Sequence, residues 1–399
     1  MSFSQWKEVR LEELADIIMG QSPKGEDCNR EHVGIPLLNG PTEFTDKYPI
    51  AVQYSVKAPK VAPAGSILFC VRGSTTGRMN WADKNYAIGR GIASIQAKDE
   101  GNSSFIKALI DSNLDELLSI ATGSTFPNIS KSMLFGLKAT IPPPPEQLAI
   151  SRTLSCIEDK IELNNRINKA LEEMAQAIFK SWFVDFEPFQ DGEFEDSELG
   201  RIPKGWSIKA LYDFAEYING TSFKKEEYSI SGYPIIKIAE LKSGVTSATQ
   251  YFSGIKDAKY YIETGNILFS WSGNPHTSID IFLWVGGEAI LNQHTFKISI
   301  KNNDYSFLYL LLKWFKPEFT RIASSKQTTG LGHVTVGDLK RLKFPYCFQA
   351  ISEFCNYSDP IIQLYINKML ENGKLREVRD SLLPKLMSGE IRVPVEEVQ

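Results

Sequence analysis

The sequence predicts an α+β protein: two β-rich globular domains in tandem pseudo-repeat, separated by two long antiparallel coiled-coil helices. Three observations predict it. Motifs recur in the same order at an offset near 200 residues. Each half carries short β-branched and aromatic runs bounded by Gly and Pro. Each half is then followed by a stretch of apolar residues at alternating three- and four-residue spacing.

The repeat is read residue by residue. Trp6-Lys-Glu-Val-Arg-Leu11-Glu-Glu-Leu-Ala15-Asp-Ile-Ile18-Met-Gly20 aligns with Trp206-Ser-Ile-Lys-Ala-Leu211-Tyr-Asp-Phe-Ala215-Glu-Tyr-Ile218-Asn-Gly220. Ile35-Pro36-Leu37-Leu38 aligns with Tyr233-Pro234-Ile235-Ile236, and Gly65-Ser-Ile-Leu-Phe69 with Gly265-Asn-Ile-Leu-Phe269. Gly73 answers Gly273. A Ser/Thr/Gly loop at 122–130 answers one at 326–335. Each loop is followed by a leucine (Leu137, Leu339) and a proline (Pro142, Pro345) before the helical segment. Runs such as Ser66–Val71 and Gly91–Gln96 read as strands, with short helices expected at 104–119 and 305–316. The expected organisation is a first globular domain over 1–145, a helix over 146–183, an acidic linker over 184–205, a second globular domain over 206–345, a helix over 346–384 and a tail over 385–399.

The first helix carries a seam at Leu154, Ile157, Ile161, Leu171 and Ile178, with Asn164 and Asn168 in two of the same slots. Polar residues in a coiled-coil seam set register and partner. Its 38 residues would extend about 57 Å. The second seam is Ile361, Leu364, Leu375, Val378 and Leu382, with Lys368 and Glu371 inside it. Asp359-Pro360 reads as a cap followed by proline at the first helical position, so the second helix starts or kinks there. Pro384 is expected to end it. The seams could pair between chains, but one chain with two such helices buries both most simply by pairing them antiparallel. That would place the domains at opposite ends of a rod.

The 42% hydrophobic and 23% charged composition is that of an ordinary soluble protein. No apolar run is long enough to cross a bilayer, and the N-terminal residues read as no signal peptide. The five cysteines (Cys28, Cys70, Cys156, Cys347, Cys355) lack CxxC spacing, which fits a reducing cytoplasm and offers neither a disulfide framework nor a zinc site. The net charge of −4 hides a local block: residues 184–200 hold seven acidic residues and no basic one, so the remainder is net positive. There is no G-x-x-x-x-G-K-[ST] loop, G-x-G-x-x-G, HExxH or G-x-S-x-G, and the four histidines are dispersed. The pattern is that of a binder rather than an enzyme.

In its order of motifs the chain resembles the DNA-specificity subunit of type I restriction–modification systems. The resemblance rests on the Trp-x4-Leu-x3-Ala-x2-Ile-x-Gly opening of each domain, the Gly-Ser-Ile-Leu-Phe strand and the Thr-Gly-Ser loop. It rests also on the Ile-Pro-Pro-Pro-Pro-Glu-Gln147 helix entry, the junction Leu199-Gly-Arg-Ile-Pro-Lys-Gly-Trp206 and Ser381-Leu-Leu-Pro-Lys-Leu-Met-Ser-Gly389 at the end of the second helix. It covers nearly the whole chain. The second helix entry departs from it, reading Phe344-Pro-Tyr-Cys-Phe-Gln349. The resemblance implies that each globular domain is a target-recognition domain reading one half of a bipartite site in double-stranded DNA. It implies that the helices set the half-site spacing and dock two methyltransferase subunits. S-adenosylmethionine, and the ATP and Mg of a restriction/translocase subunit, would sit on those partners, with no cofactor on this chain. A spacer of about 35–57 Å matches roughly one turn or more of B-DNA, about 34–36 Å. The alternative class is a two-headed protein-interaction scaffold, motivated by the net negative charge.

Candidate DNA contacts come in paired loops rich in Gly, hydroxyl, amide and basic groups, which suit phosphate and base edges. In the first domain they are Gln21, Ser22, Lys24, Arg72, Ser74, Thr76, Arg78, Arg90, Ser124, Thr125, Asn128 and Lys131. In the second they are Thr221, Ser222, Lys224, Lys225, Asn274, His276, Gln293, His294, Lys326, Gln327, Thr328 and His333. Arg72, Arg78 and Arg90 lead the first set; Lys225, His276, Gln293 and Lys326 lead the second. Trp271 and Trp284 read as packing residues.

Overall fold

The computed structural model describes residues 6–99, 101–123, 127–301, 304–327 and 330–394. The chain divides into two compact units, residues 1–163 with 374–399, and residues 164–373. The division falls inside both long helices, Pro144–Phe183 and Phe348–Met387.

In the first unit a four-stranded antiparallel sheet has the order Ala15–Met19, Ile92–Ala97, Ile67–Cys70, Met79–Trp81. A five-stranded sheet has the order Cys28–Asn29, Gln53–Ser55, Ile35–Leu38, Tyr86–Ile88, Val61–Ala62, and only its Ile35–Leu38/Tyr86–Ile88 pair is parallel. The strand Ile67–Cys70 is wholly buried because it has a layer on each face. Alternation sends Ile67 and Phe69 toward the helices Ser103–Ser112 and Leu114–Ser119, and Leu68 and Cys70 toward Leu38, Tyr86 and Ile88 of the other sheet. A short ribbon of Lys7–Arg10 with Lys138–Ile141 joins the start of the domain to the residues before the first long helix.

The second unit repeats this scheme. Its antiparallel sheet runs Ala215–Asn219, Thr295–Ile300, Ile267–Ser270, Asp280–Leu283. Its mixed sheet runs Tyr251–Phe252, Tyr233–Ile236, Ala289–Leu291, Tyr261–Ile262, again with one parallel pair. Ile267 and Phe269 face the helices, and Leu268 faces Ile236 and Leu291. The ribbon is Ser207–Ala210 with Lys343–Tyr346. The acidic segment contributes a hairpin, Phe194–Ser197 with Gly200–Pro203.

Within each unit the two helix segments run antiparallel. In the first unit Leu386 packs in the core with Ile150 and Leu154, and Arg392 makes a two-pronged ion pair with buried Glu146. In the second unit Asn164 donates to Asn372 at 2.9 Å, Asn372 donates to Asn165 at 2.8 Å, and Phe179 and Trp182 pack edge-on against Phe354. Pro144 takes the first helical position of the first helix, where its missing N–H costs nothing.

Three local expectations are corrected. The second helix starts at Phe348, not at Asp359-Pro360, and passes through Pro360 and Pro384 to Met387. An interior proline costs about 3 kcal/mol. Phe354 and Cys355 before Pro360, and Ile362 and Ile366 after it, lie buried on one stripe. At about 1.5–3 kcal/mol for each large apolar side chain, that burial outweighs the loss. The Asp359 carboxylate caps a different helix, accepting the N–H of Ser306 in the first turn of Tyr305–Trp314 at 3.3 Å. The second seam is also rotated. Leu364 and Val378 are 43% and 46% exposed, while Ile361, Leu375 and Leu382 are half-buried and Ile362, Ile366 and Asn372 are buried. In the first helix Leu154, Ile161, Asn164 and Asn168 are buried and Ile157, Leu171 and Ile178 half-buried. Finally, the residue answering Leu137 is Leu342, not Leu339: the carbonyl of Leu137 accepts the N–H of Leu11, as that of Leu342 accepts Leu211. The shift in offset arises in the preceding helix, which is longer in the second domain, Lys316–Ser325 against Leu114–Ser119.

Candidate nucleic-acid interface

The four candidate loops of the first unit are tied together by backbone hydrogen bonds at one end of the antiparallel sheet. Gly20 donates to Ile92 O and Gln21 to Ile88 O, both at 2.9 Å, joining the 20–24 and 89–91 loops. Val71 donates to Gly91 O at 2.9 Å, joining 89–91 to 72–78. Ile129 donates to Val71 O at 2.9 Å and Gly73 to Pro127 O at 3.2 Å, joining 72–78 to the 122–131 loop. Gly20 is required by close approach: a Cβ there would lie 2.2 Å from Gly89 O. Gly73 is required by its φ of 100°.

The second unit builds the same chain of contacts. Gly220 donates to Thr295 O at 3.0 Å and Thr221 to Leu291 O at 2.9 Å. Trp271 donates to His294 O at 3.4 Å and Val334 to Trp271 O at 2.9 Å. Ser272 pairs with His333 where Arg72 pairs with Asn128. A Cβ at Gly220 would lie 2.1 Å from Asn292 O, and Gly273 has a φ of 123°.

On this frame the predicted side chains divide. Gln21, Lys24, Ser74, Arg90 and Lys131 are exposed in the first unit and Ser22 is half-buried, its hydroxyl accepting the N–H of Arg90 at 3.4 Å. Lys24 pairs with Glu26, and Lys131 sits over the Phe135 ring. Arg72 is exposed, with its Nε donating to Asn128 Oδ1 at 3.4 Å. Thr76 points inward and donates to Gly73 O and Pro127 O. Arg78 spends its guanidinium on the carbonyls of Pro41, Phe44 and Thr45, which pins the turn 41–45. The strand pairing puts Asp280 at the matching position of the second unit, paired with Lys313 and Lys316.

In the second unit Ser222, Lys224, Lys225, Asn274, His276, Gln293, His294, Gln327 and His333 are exposed and Thr221 is half-buried. Asn274 Oδ1 accepts the N–H groups of His276 and Thr277, fixing that turn. Gln293 and His294 lie side by side, with side-chain nitrogens 3.4 Å apart. Lys326 folds onto buried Asp338, which also binds Thr335 and Arg341. Burial opposes ionisation of Asp338, but the bonds from Lys326 and Thr335 outweigh it and hold the carboxyl down at about 2. Ser124, Thr125 and Thr328 lie outside the described residues. Trp284 is buried, donating to Gly287 O, and Trp271 packs on Phe296 and donates to Asn219.

A groove of about 410 Å³ opens beside these loops, lined by Ser222, Phe223, Tyr228, Lys237, Asn292, Gln293 and His294 among others. Lys237 was missed by sequence reading. The repeat places it opposite Asn39, directly after an aligned strand, but nothing in the sequence brings it to the loops. Among the described residues no group of three or more His, Cys, Asp or Glu could hold a metal ion, and no helix is long and apolar enough to cross a membrane.

Comparison with known proteins agrees with this geometry. The family profile described as Type I restriction modification DNA specificity domain matches residues 4–173 and 203–347. The chain is 30% identical over 351 residues to the MjaIX type I restriction enzyme specificity subunit of Methanocaldococcus jannaschii, covering 84% of this chain and 79% of that one. It is 26% identical over 345 residues to the HindI type I restriction enzyme specificity subunit of Haemophilus influenzae, covering 69% and 74%. In fold it is similar to the crystal structure of a type I restriction–modification S subunit from M. genitalium, with a TM-score of 0.57 and 19% identity over 97% of each chain.

Proposed function

Since the chain belongs to the type I restriction–modification DNA-specificity family, we propose that it is the non-catalytic subunit that reads DNA sequence, one half of a bipartite site per globular domain. The observation that carries this reading is the loop frame built twice in one chain. The backbone bonds are the same in both units, but the side chains they present differ: Arg72, Arg90 and Asn128 in one, Ser272, Gln293 and His333 in the other. A shared frame with different donors and acceptors reads two different base sequences. The long helices set the separation of the half-sites and offer the surface on which two methyltransferase subunits dock. Those subunits supply S-adenosylmethionine and methylate adenine; a restriction/translocase subunit supplies ATP- and Mg-dependent chemistry. This chain contributes sequence choice and geometry.

The test is a domain exchange. The chain is expressed with its methyltransferase subunit, methylated adenines are mapped, and residues 1–145 are replaced by those of a relative. One half of the bipartite motif changes and the other half and the spacing stay. A swap that alters both halves, or neither, refutes one reader per half-site.

A further inference from the structure

The two units carry an unassigned cross-link at matching positions. In the second unit Lys237, the residue after the strand Tyr233–Ile236, donates its Nζ to Gln250 Oε1 at 2.5 Å and lies 5.4 Å from the centre of the Tyr228 ring. It lines the groove that also holds Ser222, Gln293 and His294. In the first unit Asn39 follows the strand Ile35–Leu38 and donates its Nδ2 to Gln53 Oε1 at 2.9 Å. Asn39 lies against the 89–91 loop, where a Cβ on Gly89 would meet its Cα at 3.1 Å and one on Gly91 its carbonyl oxygen at 2.9 Å. The backbone place is the same, the glutamine is the same and the reaching side chain differs.

Resting on the two-reader function above, we propose that Lys237 and Asn39 are base-reading residues, each oriented by its glutamine, Gln250 or Gln53. The donor inventory then sets what each reads. Lysine has three donors and no acceptor. With one donor held by Gln250, Lys237 presents only N–H groups, which match the O6 and N7 acceptors of guanine in the major groove. Asn39 gives one amide N–H to Gln53 and keeps its Oδ1 and a second N–H. A donor beside an acceptor matches N7 and N6 of adenine. The second domain therefore selects guanine, and the first domain adenine, at the corresponding place in their half-sites. Gln250 and Gln53 are positioning residues: each accepts the bond that fixes the direction of Lys237 or Asn39.

The experiment maps methylated adenines in cells carrying the whole chain with its methyltransferase subunit. Lys237→Met makes one position of the second domain's half-site degenerate, with the preference for guanine falling about tenfold or more, and leaves the other half intact. Lys237→Asn moves that position toward adenine. Gln250→Ala weakens preference at the same position and no other. If Lys237→Met abolishes methylation altogether, Lys237→Arg, which keeps the donors, restores it with guanine retained; absence of restoration overturns the proposal. A motif unchanged in every variant overturns it, as does an even loss of methylation at all sites, which marks a phosphate contact. If the unsubstituted chain directs no bipartite motif, the two-reader function itself fails, a result separate from these.

Discussion

Arg78 and Lys326 look alike in the sequence, basic residues in polar loops, and both are held by the protein itself. Arg78 holds three carbonyls of a turn, and Lys326 neutralises Asp338. Arg72 and Arg90 stay exposed on the loop frame. Residue type alone could not say which charges the protein uses up, because the partners are 12 or more residues away in sequence. Asp338 gives a measurable consequence. Removing it by Asp338→Ala strands Lys326 and Arg341, but both cations reach solvent. The cost therefore falls below the 3–5 kcal/mol of a fully buried pair and is about 2 kcal/mol. Its folded carboxyl sits near 2 against an ordinary value near 3.8. A depressed carboxylate stabilises above its unfolded value and loses that effect as pH falls through its folded one. The difference in thermal stability between the two proteins is then full at neutral pH and closes between about pH 4 and pH 2. A gap that stays constant across that window contradicts the assignment.

At the scale of elements, the strands and the first seam follow the sequence because their periodicity is strong. The second seam does not, since its apolar residues are spaced loosely enough to fit two neighbouring stripes, and the choice falls to what each stripe meets. Asn372 is the example: it sits in no predicted slot yet is 3% exposed and bonds to both Asn164 and Asn165. A buried amide left without its partner costs about 1–3 kcal/mol, whereas replacing both partners by apolar groups is near neutral. Asn164→Leu and Asn372→Leu are each expected to lower stability by roughly that amount, and the double variant to recover most of it. Denaturant unfolding of the four proteins measures the coupling; strict additivity would mean the pair is not an interacting unit. The helices are also tied to their domains by ions. Lys107 bridges Asp111 and Glu158, and Lys313 bridges Asp280 and Glu172. Burial works against both ammonium groups, but their carboxylate partners win and raise both above the usual lysine value.

For the whole molecule, the net charge of −4 says little about DNA, because the acidic block from 184 to 200 lies in the linker and hairpin rather than in the loop frames. The assembled complex should bind its site with an affinity that falls steeply with salt, by a log–log slope of about −0.9 per phosphate neutralised. Lys225, an exposed lysine of the second loop frame, is placed to meet phosphate, and Lys225→Ala should reduce the magnitude of that slope by about one. Titrations over a range of salt concentrations measure it, and an unchanged slope removes Lys225 from the contact.

The duplication, the strand-rich domains, the long helices and the four pairs of loops were legible in the sequence alone. Each rests on local periodicity or on the same motif met twice, and both survive in one dimension. Only the tertiary structure decided that Asp359 caps another helix, that the second helix runs through two prolines, that Arg78 and Lys326 bond to the protein itself, and that Lys237 reaches the groove. Those outcomes depend on what lies opposite a residue in space, and burial outweighs local preference wherever the two compete.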